Sequence, residues 1–128
     1  MIHLPKMGRL QFLGKEGEKR ALDFLLRNGY SIHDTNYRTP LGEIDIVAEK
    51  KGIVVFIEVK TRIGDKKGKP YEAITYHKIR HLKRAIQFYL MSKNKKRNPL
   101  RIDVISIELN TDKSIKKLQH FENVESSR

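Results

Sequence analysis

The chain has no cysteine and no tryptophan among its 128 residues. Without thiols there are no disulfides and no thiolate metal sites, and the cytoplasm becomes the default compartment. Long apolar runs are missing too. Nothing approaches the roughly 20 residues needed to span a bilayer, so no membrane role is expected. Met1-Ile2-His3-Leu4-Pro5 lacks the apolar segment of a signal peptide. No Gly-x-x-x-x-Gly-Lys-Ser/Thr loop occurs, which excludes a P-loop NTPase at motif level, and no serine stands in a nucleophile motif. His77 and His81 have a spacing that zinc uses, but Lys78 takes the place where a zinc protease carries its glutamate.

Negative charge is also scarce. Against 27 Lys and Arg there are 15 Asp and Glu, a formal net charge of +12, and the pI is near 10.0. Such a field attracts polyanions, nucleic acid before an anionic membrane surface. At this length a single domain over 1–128 is expected, with 1–8 as a loose leader and 122–128 as a frayed tail. There is no internal repeat.

What is present is organised around residues 42–60. The run Gly42 to Lys60 reads as two β-branched strands joined by a charged turn closing on Gly52. The second strand is apolar on both faces from Ile53 to Ile57, as a central strand covered on both sides would be. It ends in Glu58 and Lys60, which share a face with Val54 and Phe56. If Lys51-Gly52 is a two-residue hairpin loop, Lys50 faces Ile53 and Asp45 falls opposite Glu58. Opposed side chains have Cβ atoms about 4.5–5.5 Å apart, and like charges there are destabilising. A hard divalent cation gives two such acids a reason to meet. Lys60 is a third functional group aimed at the same point.

The flanking chain supplies a frame. Leu10, Leu13, Gly17, Ala21, Phe24 and Leu25 recur at helical spacing from about Leu10 to Asn28, where Asn28-Gly29 is a stop signal. Glu18 lies on the rim of that stripe. It is either a solvated glutamate paired with Lys19 or Arg20, or a third acid for the site. Tyr30–Arg38 reads as a first strand with Tyr30 and Ile32 inward, and Pro40-Leu41-Gly42 as a turn. The segment from Thr61 to Pro70, with Arg62, Lys66, Lys67 and Lys69, reads as a basic loop that either tracks a phosphate backbone or is merely solvated. Thr75 is placed to cap a second helix running to about Ser92, with Ile79, Leu82, Ile86, Tyr89 and Leu90 as its apolar stripe. Lys78, Arg80, Lys83 and Arg84 on its other faces suit phosphate contacts or a solvated helix surface. Leu100–Leu109 is a last long strand in which Asp103 reads as structural, with a runner-up acid of the site as the other reading. Ile115, Leu118 and Phe121 suggest a short edge segment. The order α-β-β-β-α-β predicts an α/β fold, a meander followed by a helical crossover to a parallel strand.

Taken together, Gly17-Glu18 with Ala21, Asn28-Gly29-Tyr30, Gly42-Glu43-Ile44-Asp45, Glu58-Val59-Lys60-Thr61-Arg62 and Arg101-Ile102-Asp103-Val104 resemble the YraN-like family of small bacterial proteins. The pattern runs from about Arg9 to Phe121. That family is assigned to the PD-(D/E)XK nuclease superfamily and is similar in pattern to archaeal Holliday-junction resolvases. The resemblance implies a restriction-endonuclease-like core with a mixed central sheet flanked by helices, and Mg²⁺ or Mn²⁺ as cofactor. It implies Glu18, Asp45, Glu58 and Lys60 as the catalytic set. Asp45 and Glu58 would be the metal ligands, with the Val59 carbonyl as a further one, Lys60 the catalytic lysine and Glu18 an auxiliary acid. Ile44-Asp45 stands where the superfamily name has Pro-Asp, and the acid is kept. Resolvases of this kind act as dimers, which makes a homodimer one expected arrangement.

The expected activity is metal-dependent hydrolysis of phosphodiester bonds in DNA, branched or damaged DNA included, with DNA ahead of RNA. Two other readings stay open: a nuclease-fold protein that binds nucleic acid without cutting it, and an accessory protein docking an acidic partner.

Overall fold

A computed structural model describes residues 9–64, 74–93 and 99–125. Helix α1 spans Arg9–Arg27. The Asn28 side-chain amide donates to the Phe24 carbonyl at 2.7 Å and Gly29 adopts a φ of 86°, so Asn-Gly ends the helix as its chemistry predicts. Ala21 and Leu25 are fully buried along the inward stripe. The side chains of Leu10 and Leu13, expected in the same stripe, lie outside the described residues.

Strands β1 (Ser31–Thr39), β2 (Gly42–Lys50) and β3 (Ile53–Ile63) form an antiparallel meander. Lys50 pairs with Ile53, and Lys51 and Gly52 take φ of 52° and 79°. Two consecutive left-handed residues match the twist of the strands they join, so the hairpin register expected from Lys-Gly holds. Helix α2 covers Tyr76–Ser92, and the Thr75 hydroxyl accepts from the Lys78 amide at 3.2 Å as its cap. Strand β4, Leu100–Leu109, then pairs in parallel with β3. β5, Ile115–Phe121, closes the sheet antiparallel to β4. The spatial order is β1-β2-β3-β4-β5.

One helix covers each face. Ala21, Leu25 and Tyr30 pack with Ile46, Ala48, Val55, Ile57 and the β4 residues Ile105, Ile107 and Leu109. On the other side Leu82, Ala85, Ile86 and Tyr89 pack with Ile44, Val47, Val54, Phe56 and Ile102. The chain therefore has the mixed, helix-flanked sheet of a restriction-endonuclease-like core, with β3 doubly covered at its centre. Gly17 allows the closest approach between layers, since a Cβ built there would lie 1.7 Å from Thr61 Oγ1.

Two segments differ from expectation for tertiary reasons. Thr61, Arg62 and Ile63 are strand rather than loop, because they pair with Ile107, Glu108 and Leu109. Residues 122–125, expected to fray, are tied back onto the sheet. The Val124 amide donates to Ile102 at 2.9 Å, and Glu125 meets Lys83 at 2.7 Å. Residues 1–8 and 126–128 lie outside the described residues, as do Lys66, Lys67 and Lys69.

Candidate functional site

The site forms where β2 and β3 part. Their ladder stops at Ile46–Ile57, yet β3 continues beside β4 as far as Ile63, which leaves a fork between the strands. Extending the register by one step sets Asp45 against Glu58. Opposite Asp45 on the other side is Asn36, flanked by the pairs Thr35–Ile46 and Tyr37–Ile44 and itself left-handed at φ 51°. Simple alternation breaks here. Ile44 and Val47 share the α2 side of the sheet while Ile46 and Ala48 face α1. Asp45 occupies the break.

The β3 amides along the fork have lost β2 as a partner, and Asp45 replaces it: its Oδ2 accepts from the Val59 N–H at 2.8 Å. Glu18 reaches in from α1, held by Asn36, and Glu43 from the start of β2. Glu18, Glu43 and Asp45 each offer an oxygen within 4.8 Å of the others. Burial, then the Glu58 charge, pushes the Asp45 carboxyl up to about 7, against the Val59 hydrogen bond. Burial likewise raises Glu58, while Lys78 and Lys60 oppose the shift. Glu18 is raised by burial and by Glu43, against its bond to Asn36 and the Lys15 charge. With Glu18, Asp45 and Glu58 all held toward their neutral forms, the cluster presents the all-oxygen donor chemistry that a hard divalent cation relieves.

Cations stand beside the acids. Lys60 continues the β3 face that carries Glu58, and Lys78 comes from the first turn of α2. Contact with Lys60, followed by burial, lowers the Lys78 ammonium, and Arg62 adds to the repulsion. Two ammonium groups pressed together beside carboxylates make a place for an anion.

Of the residues expected from sequence, Glu18, Asp45, Glu58, Lys60 and Lys78 therefore converge, with Arg62 close by. Val59 contributes through its amide, bound to Asp45. Arg80 and Lys83 instead border a separate cleft with Val124 and Glu125, and Arg84 is exposed. Sequence reasoning missed Glu43 and Asn36. Glu43 carried a usable signal, two residues from Asp45 on one strand. Asn36 did not, because its role depends on lying across from Asp45 in a neighbouring strand.

A second group, Asp103, His120 and Glu122, also offers ligand atoms within 4.8 Å of one another. Here the positive charge is built in. Asp103 is fully buried and accepts from Arg101 Nε and Nη2, both at 2.9 Å, from the Asn123 amide at 2.9 Å, and meets His120 Nε2 at 2.7 Å. Burial alone would raise this carboxyl, but His120, Arg101 and Asn123 hold it below its ordinary value. Arg101 also donates to the Tyr30 hydroxyl and pairs with Glu122. The network ties β4 to β5 and to the residue preceding β1, the structural part expected of Asp103.

The geometry can be set beside known proteins. The profile of the Uncharacterised protein family UPF0102 matches residues 17–107, which contain the whole fork. A UPF0102 protein of Thermodesulfovibrio yellowstonii is 48% identical over 117 residues, covering 91% of this chain and 97% of the relative. Another, from Caldicellulosiruptor saccharolyticus, is 40% identical over 111 residues, covering 87% and 94%. A third, from Syntrophotalea carbinolica, is 43% identical over 109 residues, covering 85% and 87%. Motifs, sheet and similarity agree: the chain belongs to the UPF0102 family, the YraN-like group within the PD-(D/E)XK nuclease-like superfamily.

Proposed function

We propose that this protein is a metal-dependent endonuclease that hydrolyses phosphodiester bonds in DNA. One observation carries the reading: Asp45 and Glu58, joined by Glu18 and Glu43, converge beside the Lys60–Lys78 pair at the β2–β3 fork. A protein that only binds phosphate gains nothing from buried acids beside its cations, since carboxylates repel the ligand. A phosphodiesterase needs both.

Asp45 would hold Mg²⁺ or Mn²⁺ together with Glu43 and Glu18, whose oxygens lie within 4.8 Å of its own, and Glu58 stands beside them as a further ligand. When bound, the ion supplies charge stabilisation at a phosphoryl oxygen and a water of lowered pKa. Lys60 is placed to hold the attacking water or to stabilise charge developing on phosphorus. Lys78 and Arg62 seat the phosphate, and the net charge of +12 draws the polyanion in.

Cleavage of labelled four-way junction, flap, duplex and single-stranded DNA in Mg²⁺, Mn²⁺ or EDTA tests this. The wild type is expected to cut only with metal. Asp45→Ala should abolish cutting, and Lys60→Ala should slow it by about 10²–10³-fold. Binding without cutting in either metal, unaffected by both substitutions, would leave a nuclease-fold binding protein. Neither binding nor cutting would point to an acidic protein partner.

A further inference from the structure

A cavity of about 320 Å³ opens from the acids toward α2, and its apolar part has no role in the chemistry above. Leu41, Ile79, Leu82 and Ala85 form its apolar walls, while Glu43, Glu58 and Lys78 belong both to the cavity and to the site. Its volume is at the small end for ligand pockets, about 300–1,000 Å³, enough for one nucleoside but not for a length of duplex. Leu41 stands at the turn before β2, 49% exposed, an apolar lip at the cavity edge. Gly42 beside it has φ 139° and open space where a Cβ would point, so a flat ring can lie against bare backbone there.

We infer that this cavity receives a nucleobase swung out of the helix next to the phosphate held at the fork. The proposal rests on the nuclease reading and narrows its substrate to nucleic acid with an unpaired or weakly paired nucleotide at the cut. Shared lining is the reason. A phosphate seated at Lys60 and Lys78 leaves its own nucleoside beside Lys78 and Glu58, at the cavity mouth, and stacking in duplex keeps a base from entering. Extrusion is least costly where pairing is already lost. Apolar walls hold any base by its faces, so the pocket selects unpaired status over base identity.

The test uses an oligonucleotide carrying 2-aminopurine, which is quenched when stacked and bright when extruded, placed at a mismatch or flap junction. Calcium in place of magnesium separates binding from cutting, and anisotropy of the same oligonucleotide reads binding independently. A several-fold rise in fluorescence on binding is expected with the wild type. Ala85→Leu, which fills the cavity, and Leu41→Ser, at a half-exposed position that leaves the core intact, should each remove the rise from a complex that still forms. Binding and metal-dependent cutting with no rise would overturn the pocket and leave the nuclease standing. A rise that persists in both variants overturns it as well, because the base is then housed elsewhere. No binding in any buffer removes both readings.

Discussion

Burial and a neighbouring carboxylate both oppose the charge on Asp45, and this has a consequence for stability as well as chemistry. The folded state holds the Asp45 proton up to about pH 7, whereas an unfolded aspartate releases it near its ordinary 3.8. Between those limits the folded protein binds more protons than the unfolded chain, so stability falls as pH rises through this window. Glu58 and Glu18, also raised, push the same way. Asp45→Asn keeps an acceptor for the Val59 amide and removes the charge. It should raise stability by something on the order of 3 kcal/mol at pH 8 and change little at pH 4. Millimolar Mg²⁺ should stabilise the wild type more at pH 8 than at pH 5.5, since protons compete for the same oxygens, and should not stabilise the variant. Thermal denaturation across pH, with and without metal, reads both effects. A wild type whose stability climbs steadily from pH 4 to 8 would contradict the assigned environment.

Elements meet most tightly at Gly17 and Thr61, where α1 crosses β3. The Thr61 hydroxyl is buried without a hydrogen-bond partner among the described residues, which marks how little room the crossing leaves. Gly17→Ala favours the helix locally by roughly 1 kcal/mol, yet the overpacking it causes costs about 1–3 kcal/mol and should win. It lifts α1 away from β3 and draws Glu18 from Asp45. Denaturant unfolding should register the lost stability, and Thr61→Ala on the same background should restore part of it. That contact was hidden in the sequence, where Gly17 looked like any small residue in an apolar stripe. The ends of α2 and the span of β4 were legible, because a threonine cap and an unbroken apolar run act within a few residues. Thr61–Ile63 was not, because a glycine- and lysine-rich stretch follows it and its strand partner arrives more than forty residues later.

Across the whole molecule, 27 basic residues are unequally placed. Lys60 and Lys78 border the fork, whereas Lys83 is engaged by Glu125 and Arg101 by Asp103 and Glu122. For the DNA substrate proposed above, composition predicts binding that weakens with salt, with a log–log slope of about −0.9 per duplex phosphate contact. Placement predicts whose removal matters. Lys78→Ala should make the slope shallower by about one contact, while Lys83→Ala should change it less because that ammonium already has a carboxylate partner. Anisotropy titrations over a range of potassium chloride decide between them, and equal effects would mean that net charge alone governs binding.

Sequence by itself determined the hairpin with its Lys-Gly turn, the double apolar coverage of β3, the sign of the field and the register that sets Asp45 against Glu58 with Lys60 on the same face as Glu58. These follow from neighbours along the chain: alternation, turn chemistry and counts of charge. Tertiary structure alone decided that β2 leaves β3 at Ile46, that left-handed Asn36 stands across from Asp45, that Glu43 joins the acids, that Lys78 is pressed against Lys60, and that an apolar cavity opens beside them. Each of those depends on which strand or helix lies alongside, a relation between residues far apart in the chain that packing chooses and local propensity does not encode.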